Sequence, residues 1–270
     1  MADDAIQGML FAGLGETTVD DSIAERELRL CALNVNSANF ARAQRLVDWL
    51  LGSECNVLVL TEMRPTDGGH LIRASLDAEG FQITSTRGWR DSRFHTAVAS
   101  KGFDVTPVQP SAFDPRIVAA DLTSAGGSVR LVGMYGLTNG MTAESSQRRQ
   151  EFQQQALAYL AAIHQPNLCV AGDLNVVEPD HRPPLPAFEA HDYAFYSGLL
   201  GLGLRDAYRL GQPAGNDHSW FSPRFGNQRL DHTLVGQSAG IVQDCIYDHS
   251  PWRQELTDHA ALRAVLRLRT

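Results

Sequence analysis

The stretch Leu168-Cys169-Val170-Ala171-Gly172-Asp173-Leu174-Asn175 is an apolar run that stops in Gly-Asp-x-Asn. A buried strand has this pattern when it delivers a carboxylate and an amide to one end of a sheet. Alone, the same four residues make an equally good turn. Other runs, however, also end in polar groups: Asn34 and Asn36, Glu62, Tyr135, Asp231 with His232, and Asp258 with His259. Carboxylates, amides and imidazole arriving on separate strands are what a hard-cation phosphate site needs. Mg²⁺ takes oxygen ligands from one or two carboxylates and leaves room for a phosphate oxygen. An attacking water needs a carboxylate to orient or deprotonate it. Charge developing on phosphorus needs donors such as Asn, Tyr or protonated His.

The elements that must position these groups follow from periodicity. Strands are expected at Leu28–Val35, Asn56–Leu60, Phe81–Thr86, Thr96–Ser100, Val105–Gln109, Ile117–Leu122, Val129–Tyr135 and the run ending at Asp173. Further strands follow at Ser219–Phe221, Asp231–Val235, Ile241–Tyr247 and Leu262–Leu268. Helices are expected over Ala41–Leu51, Leu71–Gly80, Ala143–Ile163 and Tyr193–Leu202, and the Pro-rich 179–186 reads as a surface loop. Strand–helix–strand–helix, many strands, a helix and strands again suit two packed sheets with helices outside them. No internal repeat is visible at the level of sequence identity.

The 270 residues, 43% of them hydrophobic, can bury one large core. Residues 1–27 read as an acidic extension and 28–270 as one domain. Of the formal charge of −8, residues 1–28 hold −6, with seven acids from Asp3 to Glu27 against Arg26; the remaining −2 belongs to residues 29–270. Such a balance is no non-specific nucleic-acid coat, though a local basic rim can coexist with it. Cys31, Cys55, Cys169 and Cys245 show no metal spacing and read as free thiols in a reducing cytosol. No secretory signal and no apolar run near ~18 residues is seen, so a cytoplasmic chain without membrane association is expected.

Seven segments in order resemble the endonuclease–exonuclease–phosphatase superfamily, the fold of pancreatic deoxyribonuclease and exonuclease III-type repair nucleases. They are Leu33-Asn34-Val35-Asn36, Leu60-Thr61-Glu62, Gly133-Met134-Tyr135, Gly172-Asp173-Leu174-Asn175, His218-Ser219-Trp220-Phe221, Arg229-Leu230-Asp231-His232 and Leu256-Thr257-Asp258-His259. The resemblance implies a four-layered α/β/β/α sandwich of two mixed, mostly antiparallel sheets. It implies a monomeric, Mg²⁺- or Mn²⁺-dependent phosphodiesterase acting on nucleic acid, DNA more than RNA. Glu62 would be the principal metal carboxylate, with Asn36 and Asp258 on the metal side. Asp173 would orient or activate water, Asn175 and Asn34 would hold phosphate oxygens and catalytic groups, and Tyr135 would donate to the phosphate or leaving group. His259 would stabilise the developing charge or act as acid, oriented by Asp231. His232, Asp206 and Trp220 read as structural, and Arg64 as solvated.

The chain also departs from the repair enzymes. No proline follows Tyr135, where the sequence runs Gly136-Leu137-Thr138-Asn139-Gly140. Gln228, not an aromatic, precedes Arg229, and the short Ser222–Gln228 connection leaves little room for an intercalating loop. These departures point away from abasic-site repair and leave open a second substrate class, small nucleotide, sugar or lipid phosphates.

Overall fold

Val57-Leu58-Val59-Leu60 is continuously apolar because its strand is covered on both faces. Val57 and Val59 point to one cluster and Leu58 and Leu60 to another, all at most 1% exposed. Side chains alternate across a strand, so such a run implies a layer on either side. The computed structural model describes residues 27–138, 140–181, 185 and 187–269.

In chain order the elements are β1 (Glu27–Asn34), α1 (Phe40–Gly52), β2 (Val57–Met63), α2 (Asp67–Ala78), β3 (Gln82–Thr84), β4 (His95–Ser100), β5 (Asp104–Pro107), β6 (Ile117–Ser124) and β7 (Gly127–Met134). There follow α3 (Ala143–Ala162), β8 (Leu168–Asp173), α4 (Ala190–Gly201), β9 (Arg205–Asp206), α5 (Ala207–Gly211), β10 (Trp220–Ser222), β11 (Gly226–Gln228), β12 (Asp231–Val235), β13 (Ile241–Asp248), α6 (Ser250–Arg253) and β14 (Ala261–Arg267). One sheet has the order β13-β14-β1-β2-β4-β3 and the other β5-β6-β7-β8-β12-β9, with β10-β11 a separate hairpin. Within each sheet one pair is parallel, β1 with β2 and β7 with β8, and the other pairs are antiparallel.

Three apolar clusters fill three interfaces. One, with Leu30, Ala32, Val59, Val118, Leu131 and Ala171, lies between the sheets. A second joins α1 and α2 (Leu46, Leu50, Ile72, Leu76) to the first sheet's outer face. The third joins α3 and α4 (Phe152, Leu160, Phe195, Leu199) to the outer face of the second. Helix, sheet, sheet, helix is the four-layered α/β architecture expected.

The long elements fall where the periodicity places them, with shifted ends. α2 starts at Asp67, a turn before the expected Leu71. Its first turn holds Gly68 and Gly69, poor helix formers that mask the start. Close packing is the physical reason: a Cβ on Gly68 would lie 2.0 Å from the Ala38 carbonyl oxygen. The short β9, β11, α5 and α6 carry too few residues for a period to register. The N-terminal extension lies outside the described residues except Glu27, the first residue of β1, which pairs with Arg267 of β14. Positions 182–184 and 186 of the Pro-rich loop, and Asn139, also lie outside them. All four cysteines are free and buried, and no helix among the described residues is long and apolar enough to cross a membrane.

Candidate active site

Asp173 ends β8 directly opposite Asp231, the first residue of β12. The preceding Gly172 has φ +135°, and a Cβ there would meet the Met134 carbonyl oxygen at 2.3 Å, so only glycine lets the strand end turn here. Leu174 then donates its N–H to the Leu230 carbonyl at 2.9 Å, keeping the two chains together past the sheet.

Asp173 is 2% exposed. Its Oδ2 accepts from Asn34 Nδ2 at 2.8 Å and Asn175 Nδ2 at 3.3 Å, and its Oδ1 accepts from the Asn175 N–H at 3.0 Å. Asn34 comes from β1, so this bond crosses between the sheets. Of the two tasks expected of the amides, holding a catalytic group is the visible one. His259 Nε2 lies 3.9 Å from Asp173 Oδ2, while its Nδ1 meets Asp231 Oδ2 at 2.7 Å. Burial, then the facing Asp231 charge, raises the Asp173 carboxyl to about 7. For His259, burial opposes the charged ring, but Asp231 and then Asp173 outweigh it and raise the imidazole to about 9. At neutral pH the row is therefore a poised carboxylate, an imidazolium and a second carboxylate.

Glu62 reaches the site by a different device. It lies within β2, but the β2–β4 register slips between Leu60 and Met63 and Glu62 has φ 55°. A bulge re-aims a side chain that regular alternation would bury. Seven described non-glycine residues have positive φ, and four of them, Asn36, Ser37, Glu62 and Asn175, belong to this cluster. Such backbone strain collects at sites that use it. Ser37 Oγ donates to Glu62 Oε1 at 3.2 Å, the Asn36 N–H donates to Asn34 Oδ1 at 2.8 Å, and Arg42 donates to the Asn36 carbonyl. Asp258, half-buried, accepts from Trp220 Nε1 at 2.9 Å, and neighbouring Thr257 donates to the Asn34 carbonyl at 2.7 Å. Tyr135 is 6% exposed; burial, then the Asp173 and Glu62 charges, raises its pKa and keeps it a phenol.

Asp173, Asp231 and His259 offer ligand atoms all within 4.8 Å and could hold a metal ion. The residues fit a hard cation. Asp231 Oδ1 is buried without a hydrogen-bond partner, and Glu62, Asn36 and Asp258 add oxygen donors at the same end of the sheets. Asp173 Oδ2 already accepts from Asn34 and Asn175 and His259 Nδ1 is bonded to Asp231, whereas Ser37 holds Glu62 by one long bond.

Trp220 is more than the pocket wall expected from sequence, since its indole N–H fixes Asp258. Trp220→Phe removes that donor and keeps the ring. It is expected to weaken activating-metal affinity about 10–100-fold, read from the metal dependence of turnover at saturating substrate; an unchanged metal titration would refute the role. Sequence reasoning also missed Ser219, whose Oγ accepts from the N–H groups of Leu230 and Asp231, both at 2.9 Å. Tyr247 donates to the Asp231 carbonyl at 2.7 Å. His232 is structural as expected: its Nε2 meets the Val176 carbonyl at 2.9 Å. Asp206 caps α5, and Arg64 is exposed. After Tyr135, Gly136 donates its N–H to the Asp173 carbonyl at 2.8 Å and accepts from Asn175 Nδ2 at 3.0 Å.

The sequence profile of the endonuclease/exonuclease/phosphatase family matches residues 31–259, which span the site residues from Asn34 to His259. The chain belongs to this family. Its fold is shared with an AP endonuclease from Archaeoglobus fulgidus, at TM-score 0.72 and 20% identity over 89% of this chain and 100% of that one. It is shared with a variant of the 3′ phosphatase NExo from Neisseria bound to product DNA hairpin, at 0.72 and 23% over 88% and 98%. The endonuclease domain of TRAS1, a telomere-specific non-LTR retrotransposon, aligns at 0.65 and 17% over 90% and 100%. A stretch of 83 residues is 32% identical to human Protein Shroom3; it covers 31% of this chain and only 4% of that protein. As a member of the family, the chain is a hydrolase acting on phosphate esters.

Proposed function

We propose that this chain is a divalent-metal-dependent phosphodiesterase acting on nucleic acid, DNA more than RNA. The observation that carries it is the buried row Asp173–His259–Asp231, in which one imidazole meets Asp231 at 2.7 Å through Nδ1 and faces Asp173 at 3.9 Å through Nε2. Asp173 takes the proton of the attacking water, with Asn34 and Asn175 fixing its oxygens. His259, cationic and oriented by Asp231, donates to the charge developing on phosphorus or to the leaving oxygen. Tyr135 donates from the same side. Glu62, with Asn36 and Asp258, would hold Mg²⁺ or Mn²⁺, which supplies charge neutralisation at the phosphate. The shared fold with an AP endonuclease and with a 3′ phosphatase bound to product DNA hairpin supports a DNA substrate. The same reading takes 28–270 as one catalytic domain, acting as a cytoplasmic monomer, with the acidic 1–27 as an extension.

The acidic balance and the altered segment after Tyr135 favour a second substrate class, small phosphate esters. A panel of plasmid, single-stranded DNA, RNA, an abasic duplex and small esters, with and without Mg²⁺, separates the two. Hydrolysis of nucleic acid that stops with EDTA and returns with Mg²⁺ is expected. Activity on small esters alone would reject the nuclease reading, and full activity in EDTA would reject the metal.

A further inference from the structure

We infer that the substrate is a strand with unpaired bases, gripped on both sides of the catalytic row by arginine-flanked aromatic rings. The inference rests on the phosphodiesterase reading and adds which nucleic acid the site accepts.

On the Glu62–Tyr135 side stands Phe94, half-buried, its ring edge-on to Tyr135 at 5.9 Å between centroids. Two exposed guanidiniums lie over it, Arg93 at 4.9 Å and Arg64 at 5.9 Å. Arg64 is two residues from Glu62. Arg90, also exposed, lies over Trp89 at 4.6 Å in the same loop. On the Asp258–His259 side stands Phe225, 45% exposed at the tip of the β10–β11 hairpin. It stacks on Trp220 at 6.3 Å and 21°, and Arg224 lies over it at 4.9 Å. Trp220 is in turn bonded to Asp258 and bridged to His259, so this platform is fixed to the catalytic segment.

Charge points the same way. The described arginines within ion-pair distance of a carboxylate are Arg29, Arg116, Arg130, Arg149, Arg209, Arg229 and Arg263. Those flanking the two platforms are not among them. Exposed cations left without acid partners among the described residues, beside a phosphate site and on a domain of net negative charge, are placed for a polyanion. A small ester would span neither platform. A duplex hides its base faces in its own stack, whereas aromatic rings beside a basic track suit unpaired bases, since every base has a π-face. The hairpin is too short to pry a duplex open, which removes the other use for an exposed Phe225.

The test is fluorescence anisotropy of a labelled single strand, and of the same strand in a duplex, with the metal-free protein. Tighter binding of the single strand is expected. Phe225→Ala and Arg93→Ala should each weaken it about tenfold, and Arg93→Ala should lower the slope of log affinity against log salt by about one. Duplex binding as tight as single-strand binding, or both variants binding like wild type, overturns the inference. Hydrolysis of bis(4-nitrophenyl) phosphate with Mg²⁺ by the same wild-type preparation reports the phosphodiesterase reading separately, so the two can fail independently.

Discussion

Asp173→Asn is expected to give a folded protein whose turnover on a phosphodiester is about 10²–10⁴-fold lower, the range for loss of a positioned general base. The substitution keeps the shape, and an amide oxygen can still accept from the Asn175 N–H, but the group can no longer take a proton. Its three donors and the facing His259 also explain why an isosteric change, not alanine, is the informative one. Asparagine replaces only the acceptor at Oδ2, whereas removing the whole side chain would leave all three donors without an acceptor, open a cavity and mix a larger stability cost into the rate. Steady-state kinetics on a purified variant with a wild-type thermal midpoint is the measurement. Near wild-type turnover would remove Asp173 from the proton transfer.

Arg229→Leu should be the most destabilising single change near the site. Arg229 is 1% exposed and donates to both oxygens of Glu178 and to Asp206 Oδ2, at 2.6–3.1 Å. Arg209 grips Glu178 from its other side. Removing one partner of a buried charge network costs about 3–5 kcal/mol because the remaining charges stay buried, or on the order of 5–10 °C in thermal midpoint for a chain of this size. Burial works against the Glu178 carboxylate, but the bond from Arg209 and the charge of Arg229 outweigh it and hold it at about 2, against 4.5 unperturbed. Burial also works against the Asp206 carboxylate, but the bond with His232 and then the Arg229 charge outweigh it and lower it. A carboxylate depressed in the folded state contributes stability that is full above its unfolded pKa and fades as pH falls through the folded one. The gap between wild type and variant should therefore be full at pH 6 and narrow from about pH 4.5 toward 2. Denaturant melts across that range measure it; a gap of constant size would show that Arg229 acts through packing alone.

Asp173, Glu62 and His259 are legible in the sequence because an apolar run stopping in a polar residue is a local signal, and because seven such segments keep a family order. The three core interfaces follow from strands apolar on both faces. What holds the groups in place is not local. Glu178 and Arg229 lie 51 residues apart, and the Trp220–Asp258 bond spans 38. Nothing near Glu178 in the sequence marks it for burial. The bulge that turns Glu62 outward exists only in the pairing of β2 with β4, and no residue type announces it. The start of α2 escapes periodicity because Gly68 is there for close contact, not for helix propensity.

The lone parallel pair in each sheet has one more consequence. Strand, crossover helix, parallel strand, then an antiparallel neighbour occurs as β1, α1, β2, β4 and again as β7, α3, β8, β12. The molecule is thus a pseudo-dyad, two like halves facing one another. His95 opens β4 as Asp231 opens β12, and Glu62 and Asp173 stand at the ends of the two parallel partners, β2 and β8. The two halves carry different side chains at these posts, an imidazole in one and a carboxylate in the other. His95 marks the divergence most sharply: neither ring nitrogen has a hydrogen-bond partner among the described residues, and burial, then Arg73 and His70, lowers it to about 4. Where one half keeps a buried ring without a partner, the other keeps the carboxylate bonded to His259 Nδ1, so the two like halves are not alike where their sheets meet the site.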